Sequence, residues 1–484
     1  MKIVLVNPPL HRMVLANAPT FVEDERGIYP PIGLLSIAAY LRERGPSGIE
    51  VLVLDTVLEN YTDEQIEAWL RREAPDVVGV QTLTFTLLDA LAVVKLVKKT
   101  LPTAITVLGG RHCDIYPVET LSQPGVDFVV MGEGEETMTR LIEHLREPDI
   151  LESVSGLVFK RGDRVVRNPS QMLSNLDDLP FPARELTAWK DYRYLLAKKS
   201  IFTTLITSRG CPYSCVFCDE GHQRFRSVSA SKVVEEIQDC KLRLGIDHFF
   251  IFDSTFTIDR QRVLDICRLL VERKVDITFD VRSRVNLVDQ EMLRALRRAG
   301  CVRIQYGVES GNDKVLEAIS KRITVDLVRD VVKETRAHGF EILCDFMIGL
   351  PGETQQEVED TIRLSLELPI DYAQFAITVP YPNTKLYELG IARGLFDDYW
   401  EEFSRNPSSD FQPKFWDERL SGEQLIAMMM NAYERFYFRP RFLIRQLYNI
   451  KSTSELYRKA KAGMNLMVRS ITRRLGNGQN SLSD

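Results

Sequence analysis

No run in the chain approaches the roughly 20 consecutive apolar residues of a membrane span. Its opening stretch, MKIVLVNPPL, holds a single Lys and a four-residue apolar run broken by Asn7-Pro8-Pro9, too short for the apolar region of a secretory signal. The expectation is a cytoplasmic protein. Cysteine is sparse: eight in 484 residues cannot make a disulfide scaffold, and in a reducing compartment a cluster of them reads as metal or redox chemistry. Charge of one sign is not in large excess either. A net charge of -6 argues against a general nucleic-acid binder, so no nucleic-acid partner is expected. No G-x-G-x-x-G follows the first β-rich segment, which argues against a dinucleotide site. What remains is an ordinary globular composition, 44% hydrophobic and 27% charged, in a chain long enough for two or three domains of about 150 residues.

Three of the cysteines fall in RGCPYSCVFCDEG, residues 209–221: Cys211, Cys215 and Cys218, spaced C-x3-C-x2-C, with Phe217 before the last. Gly210, Pro212 and Ser214 mark an irregular loop, which argues against a packed set of unligated thiols. A structural zinc site wants four ligands, and His222, four residues past Cys218, could be the fourth. A [4Fe-4S] cluster held by three thiolates leaves one iron open for a substrate or cofactor. Cys113, Cys240, Cys267, Cys301 and Cys344 read as small core hydrophobes.

The surrounding pattern is regular. TTLITSR, HFFIFDS, ITFDVRS, VRIQYGVES, EILCDFMIG and AQFAIT are short β-rich runs separated by stretches of helical periodicity, the signature of parallel β/α units closing toward a barrel with function at the carboxyl strand ends. Asp253, Arg284, Glu309 and the turn from Ile348 to Glu353 stand at such ends, although a single carboxylate there is often a helix cap. The first 150 residues carry five more β-rich segments, KIVLV, IEVLVLD, DVVGVQT, AITVLGG and VDFVVMG, alternating with helices as in a doubly wound sheet. The carboxyl ends of such a sheet bind ligands.

Taken in order, the cysteine spacing, the I-F-D ending at Asp253, the R-V-N from Arg284, GVESG and IGLPGET resemble the radical S-adenosylmethionine (SAM) superfamily. NPP, PPIGLLSIAAYL, LGGRH, VDFVVMGEGEET and NLDDLPFPAR are similar to its cobalamin-binding branch, which includes the anaerobic magnesium-protoporphyrin monomethyl ester cyclase and hopanoid-modifying enzymes. The resemblance covers nearly all of residues 1–400. It implies a [4Fe-4S] cluster on Cys211, Cys215 and Cys218 whose open iron chelates SAM, and SAM contacts from Phe217, Asp253, Arg284, Glu309, Ile348 and Gly349. It also implies cobalamin contacts from Asn7, Pro8, Pro9, Thr82, Thr84, Gly109, Gly110, His112, Gly132, Glu133 and Gly134, with His112 lining the groove for the nucleotide tail. The reduced cluster would cleave SAM to methionine and a 5'-deoxyadenosyl radical, drawing on an electron donor such as flavodoxin or ferredoxin.

The expected architecture is α/β: a doubly wound, Rossmann-like cobalamin-binding domain (1–150), a linker (151–197), a partial (β/α)6 TIM-type radical SAM barrel (198–400) and a helical C-terminal extension (401–484). Methylation of an unactivated carbon by way of methylcobalamin is the first expectation. Oxidative cyclisation or rearrangement of a lipid or tetrapyrrole comes next, and a radical SAM enzyme without cobalamin, or a corrinoid-binding module without turnover, stays open. Cobalamin domains with a histidine ligand to cobalt carry D-x-H-x-x-G after strand one, whereas Pro9–Val14 here reads P-L-H-R-M-V. His11 thus lacks the Asp that would orient it, and cobalt is expected to have no histidine ligand.

Trp400–Trp416 reads as an aromatic cap over the barrel mouth. From Arg435 to Arg474, eleven Lys or Arg face one acid, Glu455, and Leu456, Ala460, Met464, Met467, Ile471 and Leu475 form an apolar stripe at helical spacing. This is either a basic helix docked on the acidic body or a membrane-surface helix over residues 435–475. The second reading suits a lipid over a small-molecule substrate and a peripheral place at the inner membrane surface.

Overall fold

The computed structural model describes residues 1–16, 27–194, 196, 201–221, 223–440 and 442, and these form two α/β units. In the first, β1 (Lys2–Asn7), β2 (Glu50–Asp55), β3 (Val77–Gln81), β4 (Ile105–Gly109) and β5 (Phe128–Val130) run parallel in the order β2-β1-β3-β4-β5. Their near-continuous apolar sequences suit strands buried on both faces. Ile3, Leu5 and Val107 pack with the helices Ile32–Arg44 and Gly134–Glu143 on one side. Val4, Val6, Val78 and Val80 pack with Asp63–Glu73 and Leu87–Thr100 on the other. Strand order reverses between β1 and β3, so the crevice at their carboxyl ends is the place where such a sheet takes a ligand.

The sheet continues past residue 150. β6 (Leu157–Arg161) and β7 (Arg164–Arg167) extend it as an antiparallel hairpin beside β5, so the segment expected as a linker begins inside the first unit. Two short strands rich in Arg and Lys, joined at Gly162-Asp163, carry too little apolar alternation to stand out from loop sequence.

In the second unit β8 (Phe202–Leu205) leads into the two-stranded β9 (Ser208–Arg209) and β10 (Arg226–Ser227). There follow β11 (His248–Ile251), β12 (Thr278–Ser283), β13 (Cys301–Glu309), β14 (Glu341–Ile348) and β15 (Tyr372–Ile377). β8 and β11 to β15 pair in parallel as an open six-stranded barrel with β8 and β15 at its edges. Alternate residues such as Phe249, Val281, Ile304, Cys344 and Phe375 pack under the outer helices, with Cys240, Cys267 and Cys301 among them, while Cys113 lies in the first unit's core. The intervening residues face the bore. At its base Arg303 meets Asp280 at 2.6 Å and Glu341 at 2.8 Å, a buried network that closes the floor.

The helix Gly422–Tyr437 lies along edge strand β15. The Tyr433 hydroxyl accepts from the Phe375 N–H at 3.0 Å and donates to the Phe375 carbonyl at 3.0 Å. Tyr437 does the same for Ala373, at 3.2 and 2.8 Å. Four residues along a helix advance about 6 Å and two along a strand about 6.6 Å, so hydroxyls one turn apart reach alternate backbone positions of the strand. The first two cations of the basic stretch rest on the barrel: Arg435 meets Glu359 at 2.7 Å and Arg439 donates to the Leu366 carbonyl at 3.2 Å. Apart from Phe442, which packs on Tyr437, the stretch beyond Pro440 lies outside the described residues. No described helix is long and apolar enough to cross a membrane.

Trp400 and Trp416 are buried with Phe396 and Phe403 against Leu87 and Tyr116 of the first unit. The aromatic segment expected as a cap is a joint between the units. Gln123 strengthens it by donating to the carbonyls of Ser404 and Arg405 at 3.0 and 3.1 Å.

Candidate active site at the cysteine loop

The cysteine loop leaves β9 through Gly210, whose φ is 81° and whose Cβ, if present, would stand 2.4 Å from the Arg224 carbonyl. Only glycine permits that approach. Asp253, just past β11, anchors the loop's root. Its carboxylate accepts from the N–H and hydroxyl of Thr207, both at 2.6 Å, and from the N–H and hydroxyl of Ser208 at 3.1 and 2.7 Å. Arg262 donates to the carbonyls of Thr207 and Val228 at 2.7 and 2.6 Å. With four donors on two oxygens the carboxylate is saturated, so Asp253 positions the cysteine loop where a contact to SAM was expected.

Cys211 and Cys215 are buried and Cys218 is half-buried. Burial pushes the Cys218 thiol up to about 11 and raises Cys211 as well, so these thiols do not ionise unaided; the charge of bound iron would ionise them. Cys215 already has a cationic donor, the Arg284 guanidinium, 3.4 Å from its sulfur. Among the described residues no three His, Cys, Asp or Glu side chains converge on a single metal position. A cubane does not need that convergence, because each thiolate holds its own iron. Soft sulfur ligands with a guanidinium donating to one of them fit an iron–sulfur cluster. His222, the alternative fourth zinc ligand, lies outside the described residues.

Arg284 organises the surroundings. Its plane covers the Tyr213 ring at 4.0 Å, Nε donates to Asn286 at 3.2 Å and Nη2 donates to the Lys321 carbonyl. The Lys321 ammonium meets Glu309 at 2.6 Å, both buried, and stands 5.9 Å from the centre of the Phe217 ring. Glu309 has φ 72° where the β13–β14 register slips, a conformation that costs on the order of 1–3 kcal/mol and that the ion pair holds in place. Phe217, Arg284 and Glu309 are thus brought together around the loop. Lys321 was missed: its neighbours Ser320 and Arg322 have φ of 56° and 55°, and nothing in S-K-R announces such a turn.

At the end of β14 the N–H groups of Gly349 and Leu350 donate to Glu353 at 2.7 and 3.0 Å, and burial raises that carboxyl to about 7. Ile348 is buried in the outer core and its carbonyl accepts from Thr378 at 2.8 Å, so its side chain is turned from the bore.

On the carboxyl edge of the first sheet, Asn7 donates to Asp55 at 2.8 Å, Pro8 and Pro9 are buried, and the enclosed Thr82 hydroxyl bonds back to the Val80 carbonyl at 3.2 Å. Gly110 has φ 117°, and a Cβ there would lie 2.8 Å from the Thr82 carbonyl. Gly109, Gly110, Gly132 and Gly134 leave their backbone at least partly exposed, which fits a ligand held by main-chain groups.

Two residues depart from expectation. His112 is 0% exposed, its ring 5.5 Å from Tyr116 and its Nδ1 3.3 Å from the Thr84 hydroxyl. Burial lowers it to about 4, so it is a neutral core imidazole and lines no open groove. Glu133 takes Arg226 through both oxygens at 2.9 and 2.8 Å, Arg209 at 2.9 Å and the Leu173 N–H at 2.6 Å. Burial opposes its charge, yet the two guanidiniums hold its carboxyl below the usual range, and it serves as a joint between the units. His11 is exposed, with Nε2 2.9 Å from the Tyr61 carbonyl. Facing a carbonyl, that nitrogen must carry the proton, in keeping with the missing Asp. Arg111, next to Gly110, meets Asp219, next to Cys218, at 2.9 Å, so the edge of the first sheet abuts the cysteine loop.

Comparison with known proteins follows the same division. A model of the radical SAM superfamily matches residues 205–365, and a model of the B12 binding domain matches residues 21–142. An uncharacterized methyltransferase of Pyrococcus horikoshii is 33% identical over 93% of this chain and 95% of its own. The anaerobic magnesium-protoporphyrin IX monomethyl ester cyclase of Rubrivivax gelatinosus is 26% identical over 86% of this chain and 75% of its own. The solved structure of OxsB, a cobalamin-dependent S-adenosylmethionine radical enzyme, superposes with a TM-score of 0.72 at 18% identity, over 97% of this chain and 71% of that one. The two family domains bring with them a [4Fe-4S] cluster, SAM and cobalamin, and the chain is an enzyme. It belongs to the cobalamin-binding branch of the radical SAM superfamily.

Proposed function

We propose that this enzyme methylates an unactivated carbon. Bound SAM and cobalamin supply a primary alkyl radical and a methyl donor. In this reading Cys211, Cys215 and Cys218 hold the cluster; Phe217, Arg284, Glu309 and the Gly349 backbone border SAM; and the ends of β1, β3, β4 and β5, from Asn7–Pro9, Thr84, Gly109–Gly110 and the glycines Gly132 and Gly134, carry cobalamin. Asp253 and Glu133 position these elements. The supporting observation is the Arg111–Asp219 pair, which ties a cobalamin-side turn to the residue after the third thiol, so that a radical and a methyl donor would share one chamber. The Pyrococcus relative, named as a methyltransferase, points the same way. Electrons would come from a flavodoxin- or ferredoxin-type donor.

The test is incubation of the reconstituted, cobalamin-loaded enzyme with reductant, candidate substrates and SAM deuterated in its methyl group. Methylation predicts 5'-deoxyadenosine together with a product carrying the labelled methyl. An unlabelled product that has lost hydrogen would replace this reading with the cyclisation named for the Rubrivivax relative.

A further inference from the structure

Midway up the barrel bore the wall turns polar. Arg282 on β12 is the register partner of Gln305 on β13, and Asp345 on β14 is the partner of Gln374 on β15. Arg282 stands about 6–7 Å deeper in the bore than Arg284, which lies two residues on, just past the end of β12. Arg282, Gln305, Asp345, Met347 and Gln374 are all partly exposed and Ala376 is exposed, so solvent reaches this depth. Below it the Arg303 network closes the floor.

Arg303 has two carboxylates in contact, although its Nε, like that of Arg282, has no hydrogen-bond partner; Arg282 touches no carboxylate, and the first opposite charge it senses is Asp345. The guanidinium carbon of Arg282 lies over the Phe252 ring, 3.7 Å from the centroid, and 5.3 Å from that of Phe250. Among the described residues it has no carboxylate within 4.0 Å, and its buried Nε has no hydrogen-bond partner. Asp345 mirrors it. One oxygen accepts from Gln305 at 2.7 Å and the other, Oδ1, is buried without a partner. Burial, and then the Glu309 carboxylate, push this carboxyl up to about 6, so near neutrality it remains an acceptor. An aromatic face satisfies the flat side of a guanidinium and leaves its in-plane N–H fork unspent. Orphaned polar atoms inside a protein are costly and rare. Here one donor and one acceptor stand in one solvent-reached layer beneath the cysteine loop.

We infer that this layer is a substrate-binding floor, at which Arg282 receives an anionic group of the substrate, a carboxylate or a phosphate, and Asp345 accepts from a neighbouring hydroxyl or amine. The inference rests on the function proposed above and names its substrate class. The guanidinium fork takes such an anion through two parallel hydrogen bonds. Because the floor is closed beneath, the rest of the molecule extends upward, toward Arg284 and the cysteines. A hydrocarbon lipid without a charged group offers nothing to either residue and is excluded; a lipid phosphate and a small carboxylate both fit.

The experiment is arginine modification of the reconstituted holoenzyme by phenylglyoxal, read at each arginine by peptide mass mapping. Arg282, partly exposed and without a carboxylate in contact, is expected to react faster than Arg303. Inorganic phosphate or acetate at about ten times its Kd should slow Arg282 roughly tenfold, and chloride at equal ionic strength should not. Protection by phosphate alone assigns a phosphorylated substrate, and protection by acetate alone a carboxylate. No protection beyond that of chloride overturns the inference. In parallel, Arg282→Gln with normal iron content should lose the calorimetric binding of the protecting anion, and Arg260→Gln, altered at an exposed ion pair, should keep it; the reverse result also overturns it. SAM cleavage is scored separately. Cleavage without anion protection removes this floor and spares the proposed function, and protection without cleavage does the opposite.

Discussion

The Arg284 guanidinium stands 3.4 Å from the Cys215 sulfur while the same side chain covers Tyr213 and holds the Lys321 carbonyl. A cation donating to a thiolate favours the more negative, reduced form of a cluster bound there. A hydrogen bond to a charged group is worth about 1.5–3 kcal/mol, of which only the difference between redox states registers. Arg284→Met is therefore expected to keep its iron and to lower the reduction potential by several tens of millivolts, as read by a redox titration followed by electron paramagnetic resonance. An unchanged potential would show that Cys215 carries no cluster.

Cys211→Ala, Cys215→Ala and Cys218→Ala are each expected to lose most of the iron and all SAM cleavage. Cys267→Ala, deep in the barrel's outer core, should keep both at a stability cost of about 1 kcal/mol. Iron analysis and 5'-deoxyadenosine release check the set, and cleavage surviving in any of the first three variants refutes the ligand assignment.

The two sheets were legible because their strands are apolar, evenly spaced and alternate with helical periodicity, and because glycines and prolines punctuate their carboxyl ends. The cysteine loop was legible because three thiols in eight positions have few other uses. Tertiary partnership was not. I-F-D marks a strand end, but the four donors that saturate Asp253 come from Thr207 and Ser208, more than forty residues earlier. His112 looked like a groove residue because it follows two glycines, and only three-dimensional packing against Tyr116 shows that it is enclosed. Lys321 and Arg282 have no motif, and their importance comes from what they do and do not touch.

Glu353 predicts a specific pH response. Its carboxyl is raised to about 7 in the fold against an ordinary value of 4.5. The folded state then binds the proton more tightly, so this residue's contribution to stability is complete below about 4.5 and is lost as pH rises toward 7. The loss is on the order of 3 kcal/mol at one pKa unit per 1.36 kcal/mol. Glu353→Gln keeps an acceptor for the Gly349 and Leu350 N–H groups without a charge to bury. Melting temperatures between pH 5 and pH 8 should fall less in the variant than in the parent, and parallel curves would remove Glu353 as the cause.

The basic stretch makes a prediction about membranes. Each Lys or Arg near an anionic surface is worth up to about 1 kcal/mol, so the full chain is expected to sediment with phosphatidylglycerol vesicles, to come off at high salt and to ignore phosphatidylcholine. Replacing Lys451, Arg458, Lys459 and Lys461 by Gln should release it at ordinary salt. Absence of binding to anionic vesicles would leave the stretch without a membrane role.

The tyrosine clasp on β15 determines how that question can be asked. A chain cut after Phe415 would lose the helix whose Tyr433 and Tyr437 occupy the Ala373 and Phe375 main-chain groups. The bared edge would be a template for strand addition between molecules. Insolubility of such a truncation would report an unsealed sheet and nothing about lipid, so deletion is the wrong instrument at this end of the chain and charge substitution the right one. The same clasp makes the helix Gly422–Tyr437 behave as a seventh stave of the barrel.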